Sequence, residues 1–294
     1  MLHQIVHTML DTVRTSKVKL IAIALSLFGL SAFAEAPKRV VSVNLCTDQL
    51  AMMVADPEQL ISISYLARDP MSSAMAYEAK QFGSNHSQIE EIVALKPDMV
   101  LTHQWTSPFL ISMLERFDIP YVQFASVDKL ADIPAQYLQM GEVLGQREKA
   151  KKLANEFQDQ LDALITGIVH VGVPLTVSSY GPNGWVGGGQ SLGADILATT
   201  GFNNTASKLS GDFGGYVPLE TFVMERPDVV LTSQLWPASS RGESIMMHPA
   251  VIQSGLQASL ISTDANWDCG NLNVLHAVKQ MIDLRAQITK GHAS

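Results

Sequence analysis

Glu90–Thr102 reads EEIVALKPDMVLT, and Glu220–Thr232 reads ETFVMERPDVVLT. The two stretches share one pattern: a glutamate, then an apolar residue and valine, then Pro-Asp, then Val-Leu-Thr after one spacer. Read physically, each is a short helix followed by a buried strand. Proline disfavours α geometry in the residue before it, so each helix is expected to stop ahead of Pro97 or Pro227. Val-Leu-Thr behind Pro-Asp is an apolar run with β-branched residues, suited to a strand covered on both faces. A glutamine and a tryptophan follow each strand, as Gln104 and Trp105 and again as Gln234 and Trp236. Two related α/β lobes are the economical explanation.

Outward from this pair, further strands are expected at 39–44, 60–64 and 120–124 around the first copy, and at 174–180 and 258–263 around the second, with the repeated strands at 98–102 and 228–232. Helical patterns such as 87–95, 194–200 and 219–225 alternate with them, which argues for parallel sheets with helices on their faces. Between the two sets, Leu153, Phe157, Leu161, Leu164 and Ile168 recur at spacings of three and four, opposite Lys149, Lys151, Lys152, Glu156 and Asp159. That is one amphipathic helix over 149–168, about 30 Å long at ~1.5 Å per residue, suited to tying two lobes together. The expected organisation is an N-terminal lobe at 37–140, a connecting helix within 141–170 and a C-terminal lobe at 171–292.

Residues 1–34 read as an address. Arg14, Lys17 and Lys19 give a basic start, Leu20–Leu30 is an apolar run, and Ala32-Phe33-Ala34 fits a cleavage site before Glu35. This is the layout of a secretory signal peptide, and the run is short of the ~20 apolar residues that span a bilayer. The expectation is export to an oxidising space and no membrane insertion after cleavage. Composition narrows the rest. Only 16% of the 294 residues are charged and 47% are hydrophobic, which excludes a disordered chain. The formal net charge is −8 with no basic block, which argues against nucleic-acid binding. Two cysteines exclude a disulfide-rich scaffold and a four-cysteine zinc module.

The four tryptophans Trp105, Trp185, Trp236 and Trp267 all fall after expected strands, and Tyr65 and Tyr180 close strands in the same way. In open parallel sheets, ligands bind beyond the carboxyl ends of the strands. These six aromatics and Arg68 are therefore expected to face a ligand, with His86, His103 and Arg241 as further polar candidates at the rim. No cofactor and no metal site is called for.

The set RVVSVNLCTDQLAMMVADPEQLISISYLARDP, IEEIVALKPDMVLT and LETFVMERPDVVLT, with the mid-chain helix, resembles the helical-backbone class of periplasmic binding proteins. The resemblance covers nearly all of residues 37–290 and implies two Rossmann-like α/β lobes, each a parallel sheet flanked by helices, joined by one long helix. It implies the periplasm as the compartment, capture between the lobes of a metal-chelate or corrinoid ligand (cobalamin, a ferric siderophore or haem) and delivery to the permease of an ABC importer. A monomer without catalytic activity is expected. The resemblance further implies that Glu90 and Glu220, one per lobe, dock onto the permease. Cys46 and Cys269 are not a general feature of that class. In an oxidising compartment a disulfide between them is the first expectation, ahead of thiolate ligation of a metal or two free thiols.

The competing reading is a hydrolase. Gly189-Gln190-Ser191-Leu192-Gly193 matches G-x-S-x-G, with Asp264 or Asp268 and then His276 in suitable order. A nucleophile elbow places its serine directly after a strand, and here a glycine-rich run intervenes. The same residues suit a loop entering a helix beside a bound ligand.

Overall fold

The computed structural model describes residues 35–166, 168, 175–237, 240–254 and 260–291. The signal-peptide reading of 1–34 lies outside them, as do parts of the expected strands at 174–180 and 258–263. Among the described residues no helix is long and apolar enough to cross a membrane. Pro37–Ser294 forms one compact unit.

Five strands, β1 (Val40–Ser42), β2 (Leu60–Ser64), β3 (Gly83–Asn85), β4 (Met99–His103) and β5 (Tyr121–Phe124), make a parallel sheet in the order β3-β2-β1-β4-β5. A second parallel sheet runs β11-β10-β6-β8, from β6 (Thr176–Ser179), β8 (Asn203–Asn204), β10 (Val229–Ser233) and β11 (Leu260–Thr263). Between them in sequence, β7 (Trp185–Val186) and β9 (Gly215–Tyr216) form a small antiparallel ribbon. Helices α1 (Leu45–Val54), α2 (Ile89–Leu95), α3 (Pro108–Arg116), α4 (Ile133–Leu144) and α5 (Arg147–Ile165) belong to the first half and the link. The second half carries α6 (Leu192–Thr199), α7 (Ala206–Ser210), α8 (Leu219–Glu225), α9 (Pro249–Ser254) and α10 (Val274–Gly291).

The sequence repeat is a structural repeat. Helices α2 and α8 each end on a residue in the left-handed region, Lys96 at φ 48° and Arg226 at φ 49°. This departs from the extended geometry usual before proline; the left-handed residue turns the chain sharply so that the strand can begin directly. The aspartate after each proline then clips the neighbouring strand. Asp98 accepts the amides of Lys38 (2.8 Å) and Arg39 (3.0 Å) just ahead of β1. Asp228 accepts the amide and hydroxyl of Thr176, both at 2.7 Å, at the start of β6. Each carboxylate fixes the register of the pair it joins, Val40 opposite Met99 and Val177 opposite Val229. Ile92 and Phe222, the apolar residues at matching places in the repeat, are wholly buried on the outer faces of the two sheets.

The inner faces share a single core. Val40, Ile63 and Leu101 of the first sheet, Val177, Val229 and Leu231 of the second, and Phe157 and Leu161 of α5 belong to one apolar cluster. The long helix differs from expectation at both ends. It starts at Arg147, because Gly145 turns left-handed at φ 71° and ends α4, and it stops at Ile165 with Thr166 as its cap. Residues 141–144 thus belong to α4, and Ile168 lies beyond the helix.

Candidate functional site

Beyond the carboxyl ends of both sheets lie two cavities that meet. The first-sheet pocket, about 470 Å³, is built where β1, β4 and β5 end. Asn44 leaves β1 and caps α1 by accepting the amide of Cys46 at 3.0 Å. His103, at the end of β4, is nearly buried, and that burial holds its imidazole below its ordinary pKa, in the neutral form. Trp105 stands out over this pocket, 77% exposed, with its indole N–H donated to Ser126 Oγ at 2.9 Å. The second-sheet pocket, about 280 Å³, lies over the ends of β6, β10 and β11 and is lined by Trp185, Pro182, glycines of the 187–193 loop and the hydroxyls of Ser179, Ser191, Thr232, Ser233 and Thr263.

Trp267, Ser191 and Gly193 line both pockets. The Trp267 indole N–H is donated to Gln280 Oε1 on α10 at 3.0 Å, which fixes the plane of the shared wall. The segment after Trp267 follows β11 of the second sheet, yet it is fastened to the first half of the molecule. Cys269 is disulfide-bonded to Cys46 of α1, with Cα atoms 5.1 Å apart. Asn271 donates to the buried Gln49 Oε1 at 2.9 Å, and the amide of Leu272 to Tyr137 OH at 2.8 Å. Gly270 sits so close to Val127 that a Cβ there would lie 2.8 Å from the valine Cβ. Separately, Gln234 Nε2 donates across to Met71 O at 3.1 Å. The cleft therefore has one wall that is second-half by chain and first-half by attachment.

The structure sorts the candidate residues expected from sequence. Trp105, Trp185 and Trp267 line the two pockets; Trp236 lines a third, open hollow that shares only Pro182 with the second-sheet pocket. Tyr65, half-exposed, stacks on His86 at 5.1 Å and lies outside both pockets. His86 in turn pairs with Glu91 at 3.0 Å. Arg68 also lies outside them and spends its guanidinium on the carbonyl of Phe82. Tyr180 requires a correction: it is wholly buried behind the second sheet, stacked on Phe222 with centroids 4.1 Å apart, and cannot touch a ligand in the cleft. It closes β6 on the outer face, where the alternation of strand side chains puts it. Glu90 and Glu220 are exposed in the first turns of α2 and α8. Sequence reasoning missed Asn44, Asp128 and Asp268 as pocket residues, since polar residues in loops carry no periodic signal.

Ser191 is the helix cap of α6. Its Oγ accepts the amide of Ala194 at 3.2 Å and donates to Gly188 O at 3.3 Å, while His276 is exposed on α10. Among the described residues no histidine is hydrogen-bonded to it, and the hydrolase reading loses its base.

The family profile of the periplasmic binding protein matches residues 40–255. The vitamin B12-binding protein of Pectobacterium atrosepticum is 32% identical over 130 residues, a match spanning 44% of this chain and 45% of that one. The chain thus aligns with under half the length of that relative. Among solved structures, the periplasmic haem-binding protein RhuT from Roseiflexus in its apo form superposes with a TM-score of 0.70 at 17% identity, covering 84% of this chain and 98% of that one. The periplasmic vitamin B12-binding protein BtuF of Vibrio cholerae superposes with a TM-score of 0.66 at 18% identity, covering 84% and 96%. With paired parallel sheets, a helical link, a cleft at the strand ends and a family match across most of its length, the chain belongs to the periplasmic binding protein family, in its helical-backbone class.

Proposed function

We propose that this protein is exported through residues 1–34, captures a metal chelate of the corrinoid class in the cleft between its sheets, and delivers it to the permease of an ABC importer. The observation that carries the reading is the pair of adjoining pockets at the carboxyl ends of both sheets, with Trp267 as their common wall and Trp105 and Trp185 at either side. Their sizes fall in or near the ~300–1,000 Å³ usual for small-molecule sites, and joined they suit one large, flat ligand. Indole faces stack on a macrocycle, and the loop hydroxyls and amides supply polar contacts around its edge. The relative named for vitamin B12 binding supports a corrinoid ahead of haem or a ferric siderophore. The apolar core shared by both sheets supports small lobe rotations, so ligand release is driven by docking onto the permease, through Glu90 and Glu220, rather than by wide opening of a free hinge.

Native mass spectrometry of the exported protein, alone and after incubation with cyanocobalamin, haemin and a ferric siderophore, tests this. The expected result is a 1:1 complex with the corrinoid and a mature chain beginning near Glu35. A chain that retains Leu20–Leu30, or one that binds none of the three chelates, refutes the proposal.

A further inference from the structure

Two carboxylates stand in the first-sheet pocket without any donor. Asp128 follows β5 and Asp268 follows β11, so they enter it from the two different sheets. Other aspartates close by are spent. Asp264 Oδ1 accepts the amide of Asn266, Asp195 accepts the amide of Leu130, and Asp212 accepts from Gln190. Among the described residues no hydrogen bond reaches the side chain of Asp128 or Asp268. Among the described residues no lysine or arginine lines either pocket, and the internal segments 167, 169–174, 238–239 and 255–259 contain none. Arg68, expected from sequence at the rim, is held by the carbonyl of Phe82. Lys129, beside Asp128, is exposed and outside the lining, and Arg241 lies in the loop at the third hollow. Among the described residues His103 is the one other ionisable lining group, and burial holds its imidazole below its ordinary pKa.

Resting on the corrinoid reading above, we propose that Asp128 and Asp268 determine specificity: they accept hydrogen bonds from side-chain amides on the ligand's rim and exclude ligands that carry carboxylates there. An ionised carboxylate is an acceptor only, so it needs a ligand that brings N–H or O–H groups. The corrin rim carries primary amides where the porphyrin of haem carries propionates. An amide N–H2 placed against Asp268 completes a charge-assisted hydrogen bond. A propionate in the same place sets two like charges together in a pocket that, among the described residues, no lysine or arginine lines.

The attachment of the loop makes this discrimination sharp. Asp268 lies directly between Trp267, hydrogen-bonded to Gln280 of α10, and Cys269, disulfide-bonded to Cys46 of α1, so its backbone is held from both halves of the molecule. Although open to the cleft, it is crowded by protein and by Asp264, and this pushes its carboxyl up to about 6. A donor bound to the ionised form relieves that crowding, and a second anion adds to it.

The test compares cyanocobalamin with its monocarboxylic acids, each differing by hydrolysis of a single rim amide to a carboxylate, by equilibrium binding at pH 7.5. The proteins are the wild-type chain, Asp268→Asn and Asp128→Asn, with thermal melting as the check on folding. At least one monoacid is expected to bind the wild type about tenfold or more weakly than cyanocobalamin, since a misplaced like charge is among the strongest discriminators available. That gap should shrink to about threefold or less in one of the asparagine variants, whose amide can donate to the new carboxylate. Equal binding of every monoacid by the wild type, or a gap unchanged in both variants, overturns the proposal. Binding of haemin without any corrinoid overturns it together with the corrinoid reading, while binding of no chelate refutes the cleft itself as the site.

Discussion

Removing the Cys46–Cys269 disulfide by the double change Cys46→Ser and Cys269→Ser has a magnitude that follows from the chain. The two cysteines are 223 positions apart, so the cross-link closes nearly the whole folded unit into one loop. In the chain-entropy model a loop of that length restricts the unfolded ensemble by about 5 kcal/mol at 25 °C. The native side changes less. Asn271 still bonds Gln49, Leu272 still bonds Tyr137, and the shared core of the two sheets is untouched. The loss should therefore appear in the unfolded state. In urea titration under non-reducing conditions the double variant is expected to lose several kcal/mol and to show a steeper denaturant dependence, because its unfolded chain exposes more surface. Wild-type protein pre-treated with a thiol reductant should reproduce both changes. A difference below about 1 kcal/mol, or an unchanged slope, refutes the reasoning, since the model then has no unfolded-state restriction to act on.

Three further outcomes are expected. Ser191→Ala removes the cap of α6 and should cost about 1 kcal/mol in thermal or urea unfolding; loss of a measurable ester hydrolysis in that variant would revive the hydrolase reading. Asp48 is wholly buried beneath the first sheet, where burial raises its carboxyl from 3.8 to about 6 against the opposing bonds from Ser42 and Ser64. Its contribution to stability is thus greatest below pH ~4 and declines by about 3 kcal/mol as pH rises through 6, so Asp48→Asn should flatten that part of the pH–stability curve, and a curve of unchanged slope would contradict the assignment. Replacing Glu90 and Glu220 together by alanine should leave chelate affinity near wild type while binding to the permease falls and loses its salt dependence; a loss of chelate affinity with docking intact would place both residues in the cleft instead.

The repeat at 90–102 and 220–232 made the fold legible, because one local unit carries a helix, its stop, a register clip and a doubly covered strand. The strand at 60–64 and the helix at 219–225 stand where the sequence puts them, and the two repeated strands are displaced by one residue. Short strands escaped notice. Gly83–Asn85, Asn203–Asn204 and the ribbon at 185–186 and 215–216 are too brief, and too rich in glycine and asparagine, to show a period. The site was half legible. Tryptophans after strands marked the cleft, since large aromatics in loops need a reason to be there. Which face a strand-ending aromatic takes depends on register, and so Tyr180 went to the outer core while Trp105, two residues past β4, reached the pocket. Asp128 and Asp268 look like ordinary solvated loop residues until tertiary contacts bring the ends of two sheets together.

The claim that the paired pockets bind a chelate is tested most directly by titrating the protein with cyanocobalamin while following tryptophan emission, in the wild type and in Trp267→Phe. Trp267 is the wall common to both pockets, and Trp105 and Trp185 flank it. The account predicts saturable quenching at a 1:1 ratio, and in Trp267→Phe a smaller amplitude together with an affinity weaker by about tenfold, as expected for loss of a stacked indole in a desolvated site. Emission that does not change with cyanocobalamin, haemin or a ferric siderophore, or an affinity indifferent to Trp267, would contradict it.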